Sequence, residues 1–547
     1  MQSGRIRLWK LWTGLLMVLL VLLISPATAS AHAYVVTSNP TINESLQSPP
    51  KTVEIQFDEN VHLVPDGLTV TDEDGHRVDL GNGRTLPSNG REIVCTLPQN
   101  LGKGVYTIHW QVISADGHTV EGTIPFGVQV DVKALHLGAT EAGYVPGVPM
   151  VLDRTVFYIS MMLVIGLTIF FEFLWPKKGP SPMRGGRRWI FFSAWIALCL
   201  STAFSLPIQA ALSWGVHGTQ AFAGKYLLRT LNLTLFGYTW IIQLLLELIF
   251  PPIIAVLLSE TARRRWFWVA LPVFGVPIAK AYVGHAVVHG ALSLSIVADV
   301  IHLYAASIWL GGIVGTVLLF TAHLREHEPD ADAVKGVVRQ FSMLAGISVF
   351  VLGLTGFYAA IVNIPTWYSL WYTTYGEVLL CKLALFFCMV GLAAYHWVRR
   401  VHLSMYSLRR MVVLELIAGI LILGLTSVLT NVQTAEVAPG PVNASQTAAG
   451  YAVHLQITPN KAGDNEFLVT LRDGGGHPYT AQQVTLSFSS SVVAAGSDTV
   501  RLVDHGNGTY TTDGLYLTGG GRWNVDVHVL TANYEDVDAH FKVSVGQ

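Results

Sequence analysis

The 547-residue chain is 51% hydrophobic and 13% charged, about half the charged share of roughly 25% usual in soluble domains, so a membrane protein comes before a cytosolic enzyme. A formal net charge of −2 argues against the strongly basic surface that binds nucleic acid. Four scattered cysteines, Cys95, Cys199, Cys381 and Cys388, exclude a disulfide framework.

At the start of the chain, Arg5, Arg7 and Lys10 precede the apolar run LWTGLLMVLLVLLI, followed by Pro26 and small residues. This is the pattern of a secretory signal. Ala29 and Ala31 suit the −3 and −1 positions of a cleavage site and make His32 the first mature residue; Ala27 with Ala29 also fits and leaves Ser30 and Ala31 ahead of it. An uncleaved anchor is the alternative, but the apolar run is shorter than the ~20 residues of a span.

Residues 32–130 alternate in short polar–apolar segments (TVEIQF, GLTVTD, EIVCTL, VYTIHWQVI) between Gly, Pro, Asn and Asp turns, which predicts an antiparallel β-sandwich. Residues 131–151 read as a linker. From 152 to 431 come eight apolar runs, at about 152–175, 189–212, 234–258, 266–287, 296–321, 340–363, 376–398 and 411–431, each near the length of a transmembrane helix. Starting from an external residue 32, the inner loops hold fifteen Lys and Arg and the outer loops two, Lys225 and Arg229, in agreement with the positive-inside rule. Eight spans return the chain to the outside. There, after a linker at 432–450, residues 451–547 alternate again and predict a second sandwich. The fold class is thus a multidomain membrane protein: an external β-sandwich, an eight-helix transmembrane bundle and a second external β-sandwich, expected in the plasma membrane.

A free N-terminal histidine chelates a metal through its α-amine and ring Nδ1. The amine, with an ordinary pKa of about 7.7–8.0, gives up its proton to a metal near neutral pH. Nitrogen and oxygen donors in a plane suit Cu(II). A second donor set for His32 is present in SADGHTVEG, where Asp116 and His118 are two apart and share one side of a strand. Asp-Gly is also a common hairpin turn, and Asp74, Gly75 and His76 in DEDGHRV read as that alone. His62, His76 and His109 read as surface or strand residues.

AHAYVVTSNPTINESLQSPPKTVEIQFDENV, GLTVTDEDG and YTIHWQVISADGHTVEGTIPFGV resemble the CopC copper-binding domain. The resemblance implies a Cu(II) site made of His32, Asp116 and His118, and it selects the cleavage that exposes His32. It also implies no Met-rich Cu(I) site, because the domain has no methionine. DVIHLYAASIWLGGIVG, RQFSMLAGISVFVLGLTGFYAA, YGEVLLCKLALF and LRRMVVLELIAGILILGLTSVLTN resemble the CopD membrane protein. CopC-like followed by CopD-like in one chain is a fusion architecture associated with bacterial copper uptake or resistance. The tail, with GDNEFLVTLRDGGGHPYTAQQVTLSF, resembles the YtkA-type sandwich.

Within the spans, polar residues are costly and so are functional candidates. His285 and His289, one helical turn apart, and His302 near the same surface form a possible point where copper enters the bundle. Met161, Met162, Cys381 and Cys388 are soft donors suited to Cu(I); the two cysteines, seven apart, share a helix face. Glu247, Lys382 and Glu415 either pair inside the bundle or line a polar path. No ATP-binding signature is present and no enzymatic activity is expected. The leading reading is copper capture and transport. Sequestration or efflux for resistance is the alternative, and haem-b electron transfer through His285, His302 or His396 is an alternative of another class.

Overall fold

In the computed structural model, the described residues are 35–546, apart from 42–43, 58–59, 88, 114–118, 131–146, 177–185, 215, 217, 249–270, 283–293, 327–329, 400–404, 433, 436–437, 462, 491–497 and 518–520. The first β domain contains β1 (Val35–Asn39), β2 (Ser45–Leu46), β3 (Thr52–Phe57), β4 (His62–Thr71), β5 (Arg84–Leu86), β6 (Asn89–Thr96), β7 (Gly104–Ile113) and β8 (Thr119–Val128). They form two four-stranded sheets, β1-β3-β6-β5 and β2-β8-β7-β4. The inward residues of the alternating strands, among them Val53, Ile55, Phe57, Ile108, Trp110 and Phe126, make one core between the sheets, with Phe57 edge-on to Trp110.

The helical domain follows: α1 (Val148–Ile169), continued by a wider turn over Phe170–Leu174; α2 (Gly186–Trp214); α3 (Gly224–Leu233); α4 (Leu235–Leu248); α5 (Val276–Ala281); α6 (Leu294–Glu326); α7 (Ala331–Asn363); α8 (Trp367–Tyr372); α9 (Thr374–Arg399); and α10 (Met405–Leu429). Among the described residues six segments are long and apolar enough to cross a membrane: Val148–Leu174, Gly186–Trp214, Leu294–Arg325, Ala331–Asn363, Thr374–Tyr395 and Arg409–Leu429. They coincide with six of the eight expected spans. The expected third span, 234–258, starts at a corner: its described part is α4, and the pair Gly224–Asn232 and Phe236–Leu248 turns through 95° where it begins. Thr234 Oγ1 accepts from Gly237 N at 3.1 Å, and a Cβ on Gly237 would sit 2.3 Å from the Leu231 carbonyl, so this corner needs glycine. The start of α9 repeats the device, with Thr373 Oγ1 accepting from Gly376 N at 3.1 Å. The expected fourth span lies mostly outside the described residues, which begin again there with the short helices at 271–281.

α1 and α6 run parallel and touch backbone to backbone, because a Cβ on Gly166 would lie 2.0 Å from the Ser307 carbonyl and one on Gly311 2.3 Å from Gly166 Cα. Close approach through small residues is the usual way membrane helices gain packing. Arg154 donates to the Thr430 carbonyl at 2.8 Å, which fixes the start of α1 beside the end of α10.

The second β domain contains β9 (Val442–Ala448), β10 (Tyr451–Thr458), β11 (Gly463–Arg472), β12 (Gln483–Ser490), β13 (Asp498–Arg501), β14 (Val503–Asp504), β15 (Thr509–Leu517), β16 (Gly521–Leu530) and β17 (Asp536–Val545). Its sheets are β14-β15-β11-β10-β9 and β13-β12-β16-β17, closed over Phe467, Phe488, Tyr510 and Trp523.

Candidate functional site: a sandwich rim above a polar column

His32, Asp116 and His118 lie outside the described residues, but strand register locates their neighbours. Val35 pairs with Phe57, His62 with Ile113 and Ile113 with Thr119. The start of β1 and the β7–β8 hairpin therefore occupy one rim of the sandwich, although they belong to different sheets. His62 stands on this rim, and burial lowers its imidazole pKa from the ordinary value. His109 sits along β7, where Nε2 meets Thr71 Oγ1 at 3.0 Å; burial lowers its pKa too. Cys95 is buried in the core, and burial pushes its thiol up to about 12, which keeps it a protonated core residue rather than a metal ligand.

The other Asp-Gly-His element is a turn, as expected. Ligand atoms of Asp72, Asp74 and His76 do gather within 4.8 Å of one another. The Asp72 Oδ1 nevertheless accepts from Asp74 N at 3.1 Å and from His76 N at 2.8 Å, and Gly75 supplies the positive φ of 80°. These backbone bonds account for the cluster.

The rim rests on the helical domain. Between Leu63 and Leu68 the β4–β7 register breaks, and this bulge turns Val64 out of the sheet. Val64 and Ile113 pack with Ala210, Trp214, Val216 and Ala221. Arg77 holds the bulge, bonding Asp66 at 2.8 Å and Asp79 at 2.9 Å. Burial alone would raise the Asp79 carboxyl, but donors from Arg77, Val70 and Gly81 outweigh it and leave the group below its ordinary value.

Beneath Trp214, polar side chains line up along two helices. On α2, Thr202, Ser205, Gln209 and Ser213 recur every three or four residues, and on α4 Thr239, Gln243 and Glu247 recur every four, so each set shares a face. The two faces meet at a cavity of about 40 Å³ that also takes Met150 and Asp153 from α1 and Lys280 from α5. Asp153 accepts from Ser201 Oγ at 2.9 Å, and the Lys280 ammonium lies 5.6 Å from the Phe157 ring centre, a cation–π contact. Gln243 leads downward: its Nε2 donates to Thr202 Oγ1 at 2.6 Å and to Glu247 Oε1 at 3.1 Å.

Of the expected membrane donors, His285 and His289 lie outside the described residues. His302 is on α6, facing α7, with Nδ1 2.8 Å from Thr355 Oγ1. That hydroxyl already donates to the Val351 carbonyl, so His302 donates through Nδ1–H and keeps the lone pair on Nε2. Lys382 acts electrostatically on His302 and on Asp299, which Lys280 also faces. Met161 and Met162 are buried in the helical core and do not line the cavity. Cys381 and Cys388 share a face, but it is the exposed one. Sequence reasoning missed Asp153, Gln209, Gln243, Lys280 and Asp299, although the four-residue spacing of Thr239, Gln243 and Glu247 was a readable signal.

Comparison with known proteins decides the family. Over 540 residues, 97% of this chain and 98% of the other, the sequence is 33% identical to the copper transport protein CutJ of Bacillus subtilis (strain 168). The chain belongs to the CutJ family of copper transport proteins. In this CutJ relative, residues 35–129 match the CopC domain family and 145–294 the copper resistance protein D-like N-terminal domain. Residues 335–429 match copper resistance protein D and 445–528 the YtkA-like family. The first sandwich is similar to copper resistance protein C of Xanthomonas campestris pv. juglandis, 32% identical over 111 residues, 19% of this chain and 87% of the other. The helical part is similar to copper resistance protein D of Pseudomonas syringae pv. tomato, 27% identical over 293 residues, 50% of this chain and 92% of the other. The rim and the polar column beneath it therefore belong to a copper transport or resistance protein.

Proposed function

We propose that this chain captures external Cu(II) on its N-terminal sandwich and passes copper through the helical domain into the cell. In this reading residues 1–31 are a removed signal and 32–130 the copper-capturing domain. Residues 152–431 are an eight-span domain in a bacterial plasma membrane, and the second external sandwich runs to 547 from β9, which lies inside the expected linker 432–450 because Val442–Ala448 pairs with β10. His32 binds through its amine and ring, and Asp116 and His118 complete the site. His285, His289 and His302 receive copper at the bundle.

One observation carries the reading. The rim that holds Val35, Ile113 and Thr119 is packed on Trp214 through Val64 and Ile113, so a metal released there starts beside the end of the helices that carry the polar column. Electron paramagnetic resonance of Cu(II) added to the purified full chain tests the site. Nitrogen hyperfine structure that disappears in His32→Ala and His118→Ala is expected. A spectrum unchanged by both substitutions contradicts it.

A further inference from the structure

Glu247 is inaccessible to solvent and lies twelve residues into α4, about 18 Å along the axis at 1.5 Å per residue. Its Oε1 accepts from Thr202 Oγ1 at 2.8 Å and from Gln243 Nε2 at 3.1 Å. Its Oε2 is buried with no hydrogen-bond partner among the described residues. An ionised carboxylate with a bare oxygen is very costly in such surroundings, whereas a carboxylic acid carries its own proton on that oxygen.

The surroundings favour a proton over a metal. No charged side chain among the described residues is set against the carboxyl. The titratable group in electrostatic reach is the Cys199 thiol on α2. Asp153 and Arg154 of α1 and Lys280 of α5 line the cavity on the far side of Gln243. Hydroxyl and amide donors already hold Oε1, which leaves one oxygen, too few for a metal coordination sphere. The connection to water is equally direct. The cavity of about 40 Å³ has room for about three or four waters, one needing roughly 10–15 Å³. It is bounded by Gln243 below, and above it Gln209 donates to Ser213 at 3.2 Å, beside the Trp214 that meets the sandwich.

We propose that Glu247 is a proton-exchange site, reached from the sandwich-bearing end of the bundle, through which an inward proton gradient drives copper uptake. A hydronium ion reaching the cavity gives its proton to the carboxylate oxygen, leaving water and the neutral acid; return of that proton to a water molecule restores the carboxylate. The coupling rests on the uptake reading above, whereas the proton site itself does not.

The test uses the full chain reconstituted in lipid vesicles, wild type and Glu247→Gln. Infrared spectra over the neutral pH range are expected to contain a titrating carboxylic-acid C=O band that Glu247→Gln removes. Copper influx is expected to accelerate when the outside is acidified, and the acceleration is lost in Glu247→Gln. Gln243→Leu, which cuts the link to the cavity and leaves the carboxyl in place, should lose the acceleration while the band persists. A spectrum with no Glu247-dependent band overturns the proton site. Equal acceleration in wild type and Glu247→Gln overturns the coupling. A wild type that has the band and moves no copper supports the site and overturns the uptake reading.

Discussion

In the first sandwich Asp72 caps the turn to His76 through two backbone donors; in the second, Asp473 caps the turn to His477 through Gly475 N and His477 N, both at 2.9 Å. From this shared turn the two domains diverge in how they meet the helices. The first presses a rim against Trp214 through a bulged strand. The second is fastened by its linker: Thr366 and Ser369 donate to the carbonyls of Pro439 and Ala438, while Gly440 lies against the Tyr368 ring. Their histidines differ as well. In the second domain His528 bonds Asp538 and His540 bonds Asp526, each at 2.7 Å across neighbouring strands, so these rings are engaged in the sheet. The difference teaches that an Asp-Gly-His sequence alone identifies a turn. What sets the SADGH segment apart is that the strand ends on either side of it, Ile113 and Thr119, are paired and that Ile113 packs against the bundle.

The comparison can be broken most strongly at the contact itself. Trp214→Ala removes the anchor of the first domain; truncating a buried Trp costs about 3–5 kcal/mol. Calorimetry of the full chain should then separate the first sandwich's unfolding from that of the bundle and leave the second sandwich's transition in place. Next is the bulge. Asp79→Asn should destabilise the first domain by about 1–3 kcal/mol without affecting the second. Because the folded Asp79 carboxyl lies below its ordinary value, its contribution is present above that value and is lost as pH falls through the lowered one. Acid unfolding of the first domain should therefore begin at higher pH in the variant.

Smaller effects test the shared turn. Asp72→Ala and Asp473→Ala should each lower the thermal midpoint of their own domain by less than Asp79→Asn does, since each removes only exposed turn hydrogen bonds, and leave Cu(II) binding by the full chain unchanged. A loss of bound Cu(II) in Asp72→Ala would make that cluster a metal site after all. The smallest effect is at His540. Its hydrogen bond and Coulombic attraction to Asp526 raise the imidazole pKa, so the stabilisation is complete below the ordinary histidine value and is lost as pH rises through the raised one. NMR titration should place the His540 midpoint lower in Asp526→Asn.

Much of this architecture can be read along the chain. The runs at 152–175 and 376–398 became Val148–Leu174 and Thr374–Tyr395, because twenty apolar residues in sequence have few other uses. The SADGH element comes in sequence between β7 and β8, and its own five residues lie outside the described ones. The failures have one physical origin. Spacing reveals which residues of a helix share a face, but not what that face meets. Cys381 and Cys388 share a face that points away from the protein. Asp153, Gln209, Gln243 and Lys280 come from four helices and meet only through tertiary packing. The corner at Gly237 falls where the run at 234–258 begins, after the short helix α3, which carries no apolar run of spanning length; hydropathy does not register a backbone corner.

The most direct measurement is total cell copper under limiting supply, in a strain deleted for this gene and carrying wild type, His32→Ala or an empty vector. The account predicts more copper with wild type than with the vector, and vector-like copper with His32→Ala. Less copper with wild type than with the vector, or equal copper in all three, would contradict it.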